Sequence, residues 1–322
     1  MCLLLRRNHP YLQSVNEIQA IEADPHVWEH DDHWAETYGL EPTFGCCTAN
    51  FNQGWPKFIK QAVMATPDGG AAVTLLVPTI ATLTYGSTVT VKTTYPFEDT
   101  IRVSCTVGKS GTFPLYIRVP AWAKKATINN KSVPAGAFSR QTCHGSDSSF
   151  VLELSPEIVL EEWAGDENVD GESPEVAFSV VRGPLLYSLP LEHDYIEYGH
   201  HFGSGEAASV DLFLIPHKNA TWNFALEIDR ADPSKTLKFV AGDPYAASSA
   251  PFNRTGPLTI RAQARRVPTW GTFANSAAPP PKSPACAAGK CGPVETIELV
   301  PHGRTELRIG EFPLALYIDP RE

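Results

Sequence analysis

The sequence predicts a mainly β protein with two antiparallel β-sandwich domains, preceded by a short helical or irregular segment. Apolar and polar residues alternate with period two after the first 64 residues, and Pro and Gly separate the alternating runs. The 322 residues, with 28 prolines and 23 glycines, are enough for two turn-rich domains. We therefore expect structural units at 1–64, 65–162 and 175–322, with a linker at 163–174.

The first β unit is predicted from a series of alternating runs. In the run at 100–107, Ile101, Val103 and Cys105 fall on one face, so this face is expected to lie in the core. Cys105 is accordingly predicted to be a core residue. The runs expected to form strands are 88–94, 100–107, 113–119 and 150–154.

A second β unit is predicted after an acidic, polar stretch at 161–175, whose composition is typical of a linker or an exposed loop. Its strands are expected at 176–189, 209–215, 222–228, 258–267, 295–300 and 305–309. The Pro- and Ala-rich run at 275–293 has no apolar period and is predicted to be a mobile surface loop. Cys286 and Cys291 in this run either close a small disulfide ring or stay free, and their spacing does not decide between the two.

Charge and composition exclude several classes of partner. There are 26 Lys and Arg against 36 Asp and Glu, and the basic residues are scattered, so a nucleic-acid partner is not expected. No apolar stretch approaches the ~18 residues of a spanning helix, and we expect neither a membrane anchor nor an export signal. Sequons begin at Asn130, Asn219 and Asn253, but they matter only in a secreted protein, and the compartment stays open.

The adjacent pair Cys46 and Cys47 is the main candidate for chemistry. Two neighbouring thiolates can bind one Zn²⁺, or one can bind the metal while the other attacks a substrate. A helix beginning just after the pair would lower the thiol pKa, and Thr48 and Asn50 are suitable caps for it. The alternative is that both cysteines are small buried residues beside an aromatic core.

Other polar groups are weaker candidates. A metal-binding group or a solvated acidic loop explains the cluster His26, His30, Asp31, Asp32 and His33, and the loop is favoured because HExxH and HxH spacings are absent. Any of four carboxylates could be a general acid, and no spacing selects one of Glu17, Glu22, Glu36 and Glu41. Two further pairs, His193 with Asp194 and His200 with His201, are expected in loops.

Several segments in a fixed order resemble the β-L-arabinofuranosidase-like glycoside hydrolases, glycoside hydrolase family 127 and its relatives. RVPAW at 118–122 and VVRGPLLY at 180–187 are fairly specific in this order. The other segments that carry the resemblance are FGCCTAN at 44–50, AAVTLLVPT at 71–79, TTYPFEDTIRV at 93–103, LTIRAQARRVPTW at 258–270 and LVPHGRTELRIGEFP at 299–313.

The resemblance implies an N-terminal (α/α)₆ barrel followed by two β-sandwiches, with 1–64 as only the last part of the barrel. It implies that Cys46 is the nucleophile of a retaining mechanism and that Cys47 is a ligand of Zn²⁺, with the remaining ligands and the general acid further upstream. The expected partner is a carbohydrate, an arabinofuranoside or another plant or microbial glycan. Thr48 and Ala49 depart from the proline-rich continuation of better-known members, which puts the identity of the sugar in doubt.

Three functions follow from these observations. The leading one is a glycoside hydrolase of which this chain is a C-terminal portion, and we expect this chain alone to be inactive. The second is a non-catalytic carbohydrate-binding or scaffold module. The third, a zinc or redox thiol protein, depends on Cys46 and Cys47 alone. Turnover of a furanoside separates the first from the second, and bound zinc without turnover favours the third.

Overall fold

The computed structural model describes residues 10, 12–22, 35–39, 45–83, 86–109, 111–164, 176–202, 209–229, 232–286 and 289–316. Over these residues strands dominate, and the helices are short, so the predicted mainly β fold is confirmed. None of the helices in the described part is long and apolar enough to cross a membrane.

The first half of the chain contains two short helices and twelve strands within the described residues. In chain order they are β1 (Asn16–Glu17), α1 (Gly45–Phe51), α2 (Gly54–Lys60), β2 (Val63–Ala65), β3 (Ala71–Val73), β4 (Thr79–Thr82), β5 (Thr88–Lys92), β6 (Thr100–Thr106), β7 (Thr112–Arg118), β8 (Ala126–Ile128), β9 (Lys131–Val133), β10 (Phe138–His144), β11 (Ser148–Glu153) and β12 (Ile158–Ala164).

The second half adds one helix and eleven strands in the part of the chain that the structure covers. They are β13 (Val176–Arg182), β14 (Leu185–Pro190), β15 (His193–Phe202), β16 (Ser209–Pro216), β17 (Phe224–Leu226), β18 (Leu237–Val240), α3 (Pro244–Ser249), β19 (Thr259–Arg266), β20 (Thr272–Phe273), β21 (Ser276–Ala277), β22 (Val294–Pro301) and β23 (Arg308–Ile309).

Strands β2 to β11 form two sheets around one hydrophobic cluster. The described strands pair in the orders β4-β5-β6-β11-β8-β9 and β10-β7-β3-β2. Pairing is antiparallel except between β3 and β7, which run parallel. The apolar residues predicted to share a face do so: Ile101, Val103 and Cys105 are buried in this cluster, opposite exposed Arg102. Alternation along each strand therefore buries one face of each sheet in a common core.

A disulfide joins the two sheets of this first unit. Cys105 of β6 is bonded to Cys143 of β10, and both are buried in the core. The prediction that Cys105 is a core residue is correct, but its partner was not predicted. Both cysteines lie at inward-facing positions of their strands, where apolar residues are usual, so the bond crosses the interior between the sheets.

Replacing Cys105 and Cys143 together by alanine is expected to lower the free energy of unfolding by about 4 kcal/mol, because the link closes a separation of 38 residues in the unfolded chain. The matched control is the double alanine variant of Cys286 and Cys291, whose separation of 5 residues gives about 2 kcal/mol. Urea unfolding followed by tryptophan fluorescence measures both. Equal losses in the two double variants would contradict this account.

The second unit is built on a larger sheet around a separate hydrophobic cluster. Within the described residues the main strand order is β1-β23-β14-β22-β19-β17, with β12 and β13 joined through β14 and with β18 joined to β19. The predicted run 176–189 is a hairpin, β13 and β14, which turns at Gly183 with a φ of 59°. Strand β12 pairs with β13 and extends to Ala164, while residues 165–175 lie outside the described residues. The predicted division into units stays a prediction.

The Pro- and Ala-rich run at 275–293 differs from the predicted mobile surface loop. Backbone N–H groups of Ala285 and Cys286 donate to Leu314 and Ala315 at 2.8 and 3.0 Å, and the Cys286 side chain is buried. Cys286 and Cys291 form a disulfide, which decides the alternative that the sequence left open. The run is held because backbone hydrogen bonds, which the composition does not predict, attach it to the end of the sheet.

The N-terminal segment is attached to the last strand of this sheet. Strand β1 pairs with β23, and the Glu17 carboxylate lies 2.9 Å from Nη2 of Arg308, with both side chains 1% exposed. Burial raises the pKa of Glu17 to about 8, although the positive charge of Arg308 acts in the opposite direction. The pair is therefore a buried link between the two ends of the described chain.

Replacing Arg308 by leucine is expected to lower the free energy of unfolding by ~3–5 kcal/mol, because it removes the charge-assisted hydrogen bonds that Arg308 donates to the carbonyls of Ser14 and Glu306 and leaves the Glu17 carboxyl buried without a partner. With Arg308 present, Glu17 ionises in the folded chain only near a pH of about 8, so below that pH the acid is neutral in both proteins and the loss is expected to stay constant. Above about pH 8 the acid ionises beside Arg308 but not in the variant, so the loss is expected to grow. Urea unfolding between about pH 5 and 9 measures it.

The control for this variant is Lys125→Leu, which removes an ion pair with Glu157 whose side chains are 73% and 58% exposed. Because water screens such a pair, no measurable change is expected. An Arg308→Leu variant as stable as the Lys125→Leu variant, or one whose loss does not grow above about pH 8, would show that the buried pair does not hold the N-terminal segment in place.

The two units meet through residues of their loops and turns and through the end of one strand. Arg182 at the end of β13 donates from Nη2 to Asp99 at 2.8 Å, and the guanidinium of Arg304 lies 5.6 Å from the ring centre of Phe97. A Cβ on Gly183 would lie 3.4 Å from the Trp122 ring, so the hairpin turn approaches this tryptophan closely. Two arginines of the second unit thus contact the loop at 93–99 of the first unit.

Candidate functional site

The two adjacent thiols lie together on α1. Cys46 and Cys47 are exposed and lie outside any disulfide, and their sulfurs are 3.6 Å apart. The other described cysteines, Cys105, Cys143, Cys286 and Cys291, are paired in disulfides. The alternative that Cys46 and Cys47 are small buried core residues is therefore wrong for the described structure.

The helix that carries the thiols begins earlier than predicted. It starts at Gly45 rather than after the pair, so Cys46 and Cys47 lie in its first turn and Asn50 lies inside it. The Asn50 amide donates to the carbonyl of Cys46 at 2.7 Å and accepts a hydrogen bond from Gln53 at 2.7 Å. Asn50 thus does not cap the start of a helix but bonds back by one turn from its interior.

Beside α1, the helix α2 presents apolar side chains to the outside. Trp55 and Phe58 are 59% and 47% exposed and meet edge to face, with ring centres 6.3 Å apart. Pro56 falls in the first turn of α2, where its missing N–H is tolerated, so Gly54 and Pro56 divide the segment into two helices. None of the residues of α2 is buried.

Of the predicted carboxylates that the structure describes, none lies on α1. Glu22 is exposed, whereas Glu17 and Glu36 are buried where the N-terminal segment packs on the second unit. The charge of Glu36 contributes to the raised pKa of Glu17, so these two acids lie near one another. Glu41 and the group His26, His30, Asp31, Asp32 and His33 lie outside the described residues.

The thiol pair fits half of a zinc site. Two sulfurs bound to one tetrahedral Zn²⁺ at about 2.3 Å each would be separated by about 3.8 Å, close to the 3.6 Å between Cys46 and Cys47. Among the residues described, however, no group of three or more His, Cys, Asp and Glu side chains could hold a metal. The described chain therefore offers two ligands and not a complete set.

A polar cluster that the sequence did not predict lies on the second unit. His193 begins β15 and is buried, which corrects its expected place in a loop. Its Nδ1 is 2.8 Å from the carbonyl of Leu191, and its Nε2 is 3.2 Å from the Glu306 carboxylate, which also accepts from the hydroxyl of Tyr195. Burial acts to raise the pKa of Glu306, but the hydrogen bonds from His193 and Tyr195 lower it.

The other histidine pairs also depart from the loop prediction. His200 and His201 belong to β15, and Asp194 of the same strand lies 3.1 Å from the ring of His217. Strand pairing with β16 overrides the local composition here, because residues from both strands are needed to complete the ladder. The contact between Asp194 and His217 forms only because β15 and β16 pair, so spacing along the sequence does not reveal it.

The first β unit contains a match to a family model. Residues 71–138 match the model described as the β-L-arabinofuranosidase GH127 middle domain. Over these residues the chain is similar to GH127 proteins. The matched residues begin at β3, shortly after the helix that carries the two thiols, and end at the start of β10. A comparison of the chain with curated proteins finds no match.

Solved structures show the same fold over most of the chain. A structure titled glycoside hydrolase has a TM-score of 0.56 and 17% identity and covers 93% of this chain. A GH127 β-L-arabinofuranosidase from Geobacillus stearothermophilus T6 has a TM-score of 0.54 and 18% identity over 93% of this chain. The chain spans only 44% and 42% of the length of these two structures.

Limiting maleimide is expected to label Cys46 or Cys47 before any other described cysteine, because these two thiols are exposed and lie outside any disulfide. Cys105, paired with Cys143, is expected to react only after reduction. Zn²⁺ added first is expected to slow the labelling of the pair, and Mg²⁺, which prefers oxygen ligands, serves as the control. Peptide mass mapping measures each rate. Labelling that Zn²⁺ leaves unchanged would contradict a metal role for the pair.

Proposed function

We propose that this chain is part of a retaining glycoside hydrolase that acts on β-L-arabinofuranosides, with Cys46 as the nucleophile and Cys47 as a metal ligand. The observation that supports the proposal most is the pair of exposed thiols on α1, which lie outside any disulfide and precede the residues that match the GH127 middle domain. A thiol that serves only packing has no need to be exposed, whereas a nucleophile must reach its substrate.

The Cys46 thiolate attacks the anomeric carbon of the sugar, and the bond from that carbon to the leaving oxygen breaks. The electron pair goes to the leaving oxygen, which an acid protonates, and the sugar is held on sulfur as a thioglycoside. Water then attacks the same carbon and gives its proton to the conjugate base of that acid, the carbon–sulfur bond breaks, and the thiolate is regenerated. Two displacements at one carbon retain its configuration.

A zinc ion is the metal that best suits this pair, because the two sulfurs already have nearly the separation required by tetrahedral thiolate ligands. Cys46 and Cys47 would both hold it. The ion would keep the thiols deprotonated near neutral pH, where a free cysteine with a pKa near 8.5 is mostly protonated. The further ligands would have to come from outside the described residues.

The helix α1 itself carries no carboxyl group that could protonate the leaving oxygen. Glu17 has a raised pKa, as a general acid requires, but it is 1% exposed and paired with Arg308. Glu36 is buried with it. We therefore propose that the acid, like the missing zinc ligands, is supplied by another part of the active enzyme, and that this chain alone does not turn over ordinary furanosides.

A non-catalytic carbohydrate-binding module is the second candidate. It is favoured by exposed aromatic side chains on the β units, such as Tyr245 at 73% and Phe273 at 63% exposure, because such rings can stack on the apolar face of a sugar. This candidate does not use the thiols. It is therefore distinguished by a sugar interaction that survives loss of Cys46.

A dinitrophenyl β-L-arabinofuranoside is expected to leave one pentosyl residue on Cys46. Its leaving group departs without protonation, so the first displacement needs only the nucleophile. One equivalent of dinitrophenolate should be released in the presence of Zn²⁺, while the corresponding methyl furanoside, which needs the acid, should not react. Absorbance measures the release, and peptide mass mapping locates the sugar.

The matched controls are Cys46→Ser and Cys47→Ser. The first variant is expected to abolish the adduct, and the second is expected to slow its formation without moving it to another residue. The β-D-glucopyranoside with the same leaving group tests selectivity for the sugar. No adduct with either sugar would overturn the proposed nucleophile, and arabinofuranoside binding that persists in Cys46→Ser without an adduct would favour the binding module.

A further inference from the structure

We propose that this chain matures in an oxidising secretory compartment and carries N-linked glycans on Asn130, Asn219 and Asn253. The inference is independent of the function proposed above. Three acceptor triplets occur in the sequence, Asn-Lys-Ser, Asn-Ala-Thr and Asn-Arg-Thr, and they are significant only if the chain enters such a compartment. The disulfides and the surroundings of the three asparagines supply that condition.

Two disulfides indicate an oxidising environment. Cys105 and Cys143 are bonded across the interior of the first unit, and Cys286 and Cys291 are bonded at the edge of the second. Because cytosolic thiols are kept reduced, disulfides in ordinary proteins form and persist mainly in secretory and extracellular compartments. The two bonds lie in different units, so they are independent indications of the same compartment.

All three acceptor asparagines are exposed and lie between strands. Asn130 is at the tip of the β8–β9 hairpin with a φ of 62°, and Asn219 lies in the turn after β16. Asn253 lies in the turn that follows α3. A glycan at a turn projects into solvent without interrupting a strand ladder or entering a core, so the fold accommodates a bulky, hydrophilic group at each of these positions.

The amide nitrogens that would receive the sugar are available. Within the described residues, Nδ2 of Asn130, Asn219 and Asn253 makes no hydrogen bond. At Asn253 the amide oxygen accepts from the hydroxyl of Thr255 at 3.2 Å and from its N–H at 3.3 Å. The hydroxyl that the triplet requires thus lies against the acceptor amide, and it engages the oxygen rather than the nitrogen.

Asparagines outside a triplet provide a contrast. Asn129, directly before Asn130, donates to the carbonyl of Ser149 at 3.4 Å and accepts from the N–H of Val151 at 2.8 Å. Buried Asn223 donates to the carbonyl of Val267 at 2.9 Å. These amides hold the fold together and could not carry a glycan without breaking those bonds. In the three triplets, by contrast, Nδ2 of the asparagine donates no hydrogen bond to the described residues.

The experiment is secretion of the whole chain from yeast cells behind an added leader sequence. Glycans are removed with peptide N-glycosidase F in heavy-oxygen water, which marks each formerly glycosylated Asn as a labelled Asp. Labelled Asp is expected at positions 130, 219 and 253. Asn130→Gln, Asn219→Gln and Asn253→Gln should each remove one glycan on a gel, and Asn129→Gln is the matched control that removes none. The same chain is alkylated without reduction to count its paired cysteines.

Glycans on two or three of the sites, with Cys105, Cys143, Cys286 and Cys291 all protected from alkylation, support the inference. Glycans on one site or on none overturn it. Reactive thiols at Cys105 or Cys143 in the secreted chain also overturn it, because the oxidising compartment would then have no structural basis. Neither result depends on Zn²⁺ or on sugar hydrolysis, so failure here is distinct from failure of the proposed enzyme.

Discussion

The attachment of the N-terminal segment to the last strand is the constraint on which the candidate site depends. Asn16 accepts hydrogen bonds from the N–H groups of Gly310 and Glu311, both at 2.9 Å, and donates to the carbonyl of Glu311 at 3.1 Å. The buried ion pair of Glu17 and Arg308 reinforces this contact. On the other side, β2 joins the sheet of the first unit. The helices with the thiols are thus held at both ends of their segment.

The fold could be predicted from the sequence because burial on one side of a strand leaves a period of two, which is why the runs around Ile101 and Leu115 gave the observed strands. Strands such as β15 and β10 were not predicted, since polar residues interrupt that period and partners elsewhere in the chain complete the ladder. The thiol pair could be selected from adjacency alone. The partner of Cys105 and the burial of Glu17 could not be predicted from the sequence, because both depend on contacts between distant residues.

The described cysteines divide into two chemical classes that the sequence does not separate. Those on or beside sheets are buried or tied by backbone hydrogen bonds, and they are oxidised in pairs. Cys46 and Cys47 are adjacent on a short helix and exposed, and they remain thiols, although their sulfurs lie 3.6 Å apart. In an oxidising compartment, exposed thiols are vulnerable unless something protects them. A bound metal would do so, and the metal role proposed for this pair would then also protect the thiols from oxidation.

Four of the segments that carry the family resemblance meet at the interface between the two units. Asp99 and Phe97 come from TTYPFEDTIRV, Trp122 from RVPAW, Arg182 from VVRGPLLY, and Arg304 from LVPHGRTELRIGEFP. These residues form an ion pair, a cation–ring contact and a close turn, so this part of the resemblance lies where the two units pack together. The proposed nucleophile lies in another of these segments, FGCCTAN, in which Thr48 and Ala49 follow the two cysteines. Because a scaffold can persist while the substrate changes, the sugar has to be determined from reactions at Cys46 rather than from the fold.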